Sequence, residues 1–201
     1  MNGLPSLFGT GLGLAAGAGL NSYAVLLVYG GLARLFPQDF PGPAGEILST
    51  NTALITVAVL YLLEFFVDKI PGADHVWDIL HSIVRPIAGA FLAMSVVQPQ
   101  GDRFMTAVAA GSGGVVALTS HFVKSATRLT STALTAGVAN IALSIAEDIL
   151  AFLQALVSIF LPLVALAVVI ALGAIFLLTV PRLARSIDLI GRRRRPPRPA
   201  A

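Results

Sequence analysis

"AAGAGLNSYAVLLVYGGLARL", residues Ala15–Leu35, returns in altered form as "AAGSGGVVALTSHFVKSATRL", residues Ala109–Leu129. Both begin Ala-Ala-Gly-small-Gly, both end small-Arg-Leu, and the offset is 94 residues at each end, Ala15 to Ala109 and Leu35 to Leu129. The correspondence continues. "TALITVAVLYLLEF" from Thr52 aligns with "TAGVANIALSIAED" from Thr135, which sets Glu64 on Glu147. "IVRPIAGAFLA" from Ile83 aligns with "IFLPLVALAVV" from Ile159, which sets Pro86 on Pro162. The offset shortens only at connections, as two copies with differently trimmed loops would give. Each copy holds three apolar runs, and an odd number sends the second copy into a membrane from the opposite side. The sequence therefore predicts an all-α fold: a polytopic membrane helical bundle of about six transmembrane helices, arranged as two inverted three-helix repeats over residues 9–97 and 103–180.

Composition supports the membrane part of that reading. Of 201 residues, 56% are hydrophobic and 11% charged, and the mean hydropathy is +0.87. A soluble domain carries about 25% charged residues. Apolar runs reach the ~20 residues that a helix needs to cross a bilayer. They lack the alternation of an outer-membrane barrel strand. With no cysteine there is no disulfide framework, thiolate metal site or cysteine nucleophile. No basic residue precedes the first apolar run, so it is expected to be retained as a span rather than cleaved as a signal peptide.

The expected spans are Phe8–Leu32, Thr52–Val67, Ile79–Val97, Phe104–Val123, Ser131–Ala146 and Leu150–Val180, the last interrupted at Pro162. Residues 1–190 read as one integral membrane domain and 191–201, "GRRRRPPRPAA", as a disordered basic tail. Arginines 182, 185, 192–195 and 198 mark the C-terminus as cytoplasmic by the positive-inside rule. Six spans then place the N-terminus inside as well, in the cell's inner membrane. Lys69, Lys124 and Arg128 fall in connections expected inside. Glu147 and Asp148 fall in one expected outside.

The paired glycines, Gly17 and Gly19 against Gly111 and Gly113, sit mid-span in corresponding positions. Glycine lets helices approach backbone to backbone, or lets a helix open where its backbone lines a cavity. Asn21 and Ser22 follow the first pair, and Asn21 suits the cap of a half-helix. His121 follows the second. These residues, with Glu64 and Glu147, form the expected solute or ion pathway.

The densest polar stretch is "EFFVDKIPGADHVWDILHSIVR", Glu64–Arg85. Glu64 and Asp68 share a helix face, and Asp74, Asp78, His81 and Arg85 form one stripe. Together with Asp68 the stripe reads as an inner vestibule that could bind a divalent cation or relay protons. Ion pairing through Lys69 and Arg85 is the competing reading. Asp74 and Asp78 flank His81 on its face and would favour its charged form.

At these residues the chain resembles the bacterial integral membrane family catalogued as domain of unknown function 4126. "GLNSY", "DKIP", "D..WD..H" and "RP.AGA" carry the resemblance, at Asn21, Ser22, Asp68, Lys69, Pro71, Asp74, Asp78, His81, Arg85 and Pro86, within Leu12–Leu178. It implies a small multi-span membrane protein and no particular activity.

Three functions follow. The first is a transporter or channel for a small solute or ion; ATP would not drive it directly, because the chain has no phosphate-binding GxxxxGK[ST] loop. The second is a structural or assembly protein of the membrane. The third is a metal-dependent lipid enzyme using Asp74 and Asp78, for which no second acidic motif lies on the same side. No cofactor and no nucleic acid is expected. The expected partners are the bilayer, anionic headgroups at the tail, and a second copy of the chain.

Overall fold

The computed structural model of the protein describes residues 3–70, 72–99 and 103–193, without the side chains of Asp74, His75, Ile175 and residues 179–193. The described residues form eight α-helices and one 3₁₀ turn. They are α1 (Leu4–Leu20), α2 (Ser22–Leu35), the turn Pro37–Asp39, α3 (Pro43–Leu48), α4 (Asn51–Val67), α5 (Ala73–Val97), α6 (Arg103–Thr135), α7 (Val138–Phe160) and α8 (Pro162–Arg193). They divide into two compact units, residues 1–169 and 170–201. In the second, the described residues continue α8, with Ile170, Leu172, Leu177 and Leu178 exposed.

Polarity is reversed relative to a water-soluble protein. The exposed surface carries Ile55, Val59, Leu62, Phe66, Ile79, Ile83, Ile87, Val115 and Leu153, while Glu64, Arg85 and Arg128 are completely buried. Apolar side chains that face outward gain nothing in water but match hydrocarbon, and buried charge is tolerated only inside the protein. Among the described residues α5 from Val76, α6 and α7 are long and apolar enough to cross a membrane, and α1, α2 and α4 are shorter apolar helices.

The expected first span is not one helix. It breaks at Asn21, whose extended backbone (φ −149°, ψ 104°) separates α1 from α2, and the chain doubles back. Side by side with α5, the order of contacts gives the direction. Along α1, Gly11 meets Ala93, Ala15 meets Gly89 and Gly19 meets Arg85. Along α2, Tyr23 packs edge-on to His81 and Tyr29 lies beside Ser95. The helices therefore run in opposite senses as a hairpin, and Gly17 lies against Val25 across its elbow. The start of α1 and the end of α2 share one end of the molecule, which corrects the single crossing expected over Phe8–Leu32 and the six-span count built on it. The matching segment of the second copy, Ala109–Leu129, is unbroken inside α6. The duplicated stretch thus adopts two different structures.

α1 is the hub, and its glycines explain why. A Cβ on Gly9 or Gly13 would collide with Pro162, or with Ser158 and Ala165; one on Gly19 would lie 2.5 Å from the Cβ of Ser120 on α6. Only hydrogen fits on these faces. The expected pairing of glycines across α1 and α6 is not built, however. Gly113 packs on Gly89 and Ala93 of α5, Gly111 has open space, and Gly17 faces Val25, Ala151 and Gln154.

The fifth span also lies elsewhere. α6 runs through the expected Lys124–Ser131 loop and stops only at Ala136 and Gly137, both with positive φ (52° and 86°). Gly137 is suited to that region; Ala136 is an uncommon occupant. α7 then carries Glu147 and Asp148 mid-helix, which moves them off a loop and into the interior. The expected interruption at Pro162 is a full break between α7 and α8.

Candidate functional site

Asn21 organises the site. Its Oδ1 accepts the N–H of Ala24 at 2.9 Å and caps α2. Its Nδ2 donates to Asp148 Oδ1 at 2.8 Å. On the other side of the break, the last carbonyls of α1 take cations: Gly19 O accepts from Arg85 Nη1 at 3.0 Å and Leu20 O from Lys124 Nζ at 2.9 Å. The negative end of one half-helix is thus met by two positive charges, and the N-terminal end of the next by an acid held through Asn21.

Two guanidinium nodes extend from this break. Arg85 of α5 pairs with Glu64 of α4 at 2.6 Å and lies 3.8 Å from Asp78. Its Nη1 also meets Nδ1 of His121 at 2.9 Å. An arginine can only donate, so this nitrogen accepts and the His121 proton sits on Nε2. Nε2 donates to the Asp78 carbonyl at 3.1 Å and lies 3.1 Å from Ser82 Oγ. Arg128 of α6 donates to Asp68 at 2.8 Å and bridges both oxygens of Glu147. Lys124 sits between the same acids, 3.2 Å from Asp68 and 3.3 Å from Glu147. At the margin, Lys69 reaches Asp148 at 3.5 Å and Ser144 at 3.2 Å, and covers the Phe65 ring.

Five acids (Glu64, Asp68, Asp78, Glu147, Asp148) therefore face four bases (Lys69, Arg85, Lys124, Arg128). With neutral histidines one negative charge is left over. Hydrogen-bonding capacity is also left over: Glu64 Oε2, Asp68 Oδ1, Arg85 Nε, Arg128 Nη1 and His81 Nε2 are buried without a hydrogen-bond partner among the described residues.

Several expectations change here. Glu64 and Glu147 do not stand at opposite boundaries; each is held by an arginine of one shared network. Asp68, Asp78, His81 and Arg85 do not line an open vestibule, since all four are buried. Asp78, expected beside His81, lies toward Arg85 instead, and His81 Nδ1 is 2.9 Å from the Trp77 carbonyl. The Asp74 side chain lies outside those described. Ser22 is buried and bonds back to Ala18 O at 2.8 Å, bracing the break. Gly17 and Gly19 flank the network on α1, whereas Gly111 and Gly113 stand apart from it.

Lys124, Arg128 and Asp148 were not expected in the site. A signal for them was present: His121, Lys124 and Arg128 recur at three and four residues, as do Ser144, Glu147, Asp148 and Ala151, so each set falls on one helix face. Among the described residues no group of three or more acids, histidines or cysteines is placed to hold a metal ion.

Compared with known proteins, residues 8–182 match a family model described as a domain of unknown function (DUF4126). No curated protein and no solved structure matches the chain.

Proposed function

The chain belongs to the DUF4126 family, and from that premise we propose that it is an integral membrane transporter or channel for a small solute or ion. The path runs to the break between α1 and α2, where fixed charges close it. One observation carries this reading: a discontinuous helix whose last carbonyls and cap face a buried network of acids and bases. Helix breaks at membrane depth are tolerated where they line a cavity or are buried in protein, and ionisable groups there mark pathways by default. Structure alone is a weak reason for such a network. Buried ion pairs are often replaceable by apolar residues at no loss of stability. The basic tail orients the C-terminus toward the cytoplasm.

The lipid-enzyme reading, which uses Asp74 and Asp78, gains no support: Asp78 lies toward Arg85, and Glu147 and Asp148 each face a base. The test is flux. Purified protein in liposomes should move protons, alkali cations, chloride or an alkylammonium ion above protein-free liposomes, and Arg85→Gln should abolish the movement while the protein stays monodisperse. Absence of flux for every member of that panel refutes the proposal.

A further inference from the structure

Away from the charged network, at the open end of the α1–α2 hairpin, lies a cleft of about 390 Å³. It is bounded by Tyr29 of α2, Phe36 just after that helix, Phe40 beyond the 3₁₀ turn, Phe160 at the α7–α8 break and Ser95 of α5. Among the described residues Asp39 is the single charged one in its lining. That side chain is exposed and enters no ion pair among the described residues. Its ring walls are fixed: Tyr29 and Phe40 meet edge to face, 5.0 Å between centroids.

We infer that this cleft is the entry site for an organic cation, an ammonium group carried on an apolar body. The chemistry follows from the lining. Aromatic faces attract a cation and exclude an anion. A lone carboxylate with no basic neighbour selects positive charge. The volume falls within the range of small-molecule sites, and the apolar walls accommodate the ligand's carbon body. The inference names what the proposed transporter would admit and so rests on that reading. A free solute and a choline-type lipid headgroup offer the same chemistry, and the experiment separates them.

Binding of radiolabelled benzyltrimethylammonium is measured by equilibrium dialysis on the full chain in dodecylmaltoside, against its uncharged carbon isostere. The cation should bind saturably and about tenfold more tightly than the isostere. Asp39→Asn should remove that preference, and Asp39→Glu should keep it. The residue is exposed, so neither change threatens folding. Equal binding of cation and isostere, no saturable binding, or an unchanged preference in Asp39→Asn overturns the inference. Added phosphatidylcholine that displaces the probe, where phosphatidylglycerol, which has the acyl chains and no cationic group, does not, assigns the site to a choline headgroup. No displacement by either lipid assigns it to a free solute, and equal displacement by both means an acyl-chain site and refutes cation recognition. Binding is read without flux: cation binding without transport sinks the transporter reading alone, and transport of another solute without cation binding sinks this inference alone.

Discussion

Replacing Glu64 by leucine removes the acid from a pair in which both side chains are fully buried and 2.6 Å apart. Removing one partner of such a pair leaves an uncompensated charge and costs about 3–5 kcal/mol. Arg85 would keep Asp78 at 3.8 Å, the Gly19 carbonyl and His121, so the low end, about 3 kcal/mol, is expected. At about 1.4 kcal/mol per factor of ten, that shifts the folding equilibrium by roughly 150-fold. Taking the charge from both sides, with Glu64→Leu and Arg85→Met together, removes the stranded ion. It leaves the Gly19 carbonyl and His121 Nδ1 without their donor, and the Asp78 carboxylate without the base that stood 3.8 Å away. The double variant should recover to within about 1–2 kcal/mol of the parent and still transport nothing. Unfolding followed by circular dichroism in mixed micelles of increasing dodecyl sulfate content measures both. A single variant as stable as the parent, or a double variant no better than the single, refutes the argument that stability here depends on pairing Arg85 with Glu64. Transport by the double variant refutes the functional role of the pair.

Gly113→Leu and Gly30→Leu should each destabilise by about 1–3 kcal/mol through overpacking, because a Cβ would lie 2.6 Å from Gly89 O or 2.5 Å from Leu48 O. Gly111→Leu, facing open space, should stay within about 0.5 kcal/mol, and the same unfolding titration ranks the three. Asn21→Ala removes the α2 cap and the Asp148 partner together and should cost about 2–4 kcal/mol. A cost under 1 kcal/mol would mean that the break does not depend on its side chain. Reporters inserted before Leu4 and at Gln38 should label the same face of the membrane, since α1 and α2 form a hairpin; opposite labels would restore a single crossing.

Much of the helical content was legible because the apolar runs are long and bounded by prolines: α4 ends where expected, at Val67, and the chain breaks at Pro162. The hairpin was not legible. Asn21 was readable as the cap of a half-helix, but not as the one extended residue that turns a chain apolar on both sides. Lys124, Arg128, Glu147 and Asp148 were misplaced for a related reason. Charge in a greasy chain is assigned to loops, whereas inside the bundle Lys124 and Arg128 meet Glu147, and Asp148 meets Lys69 and Asn21. Residues 15–35 and 109–129 resemble each other in sequence, but similarity of residues did not carry similarity of backbone. In the first copy Asn21 opens the helix, while the second has valine at the matching position 115 and stays closed.

The bond from Asn21 to Asp148 spans 127 residues of chain, and this has a consequence for biogenesis. A ribosome adding about 5–20 residues per second emits the partner of the hairpin tip roughly 6–25 s after the tip itself. Through that interval Asn21 lacks its partner on α7, while the partners of Gly19 and Leu20 arrive earlier, after 66 and 104 residues. The hairpin, made before the helices that hold it, is therefore among the last elements to be locked. The nascent hairpin has to wait, shielded by the insertion machinery or by water at the membrane surface, until α7 arrives to close the network around it.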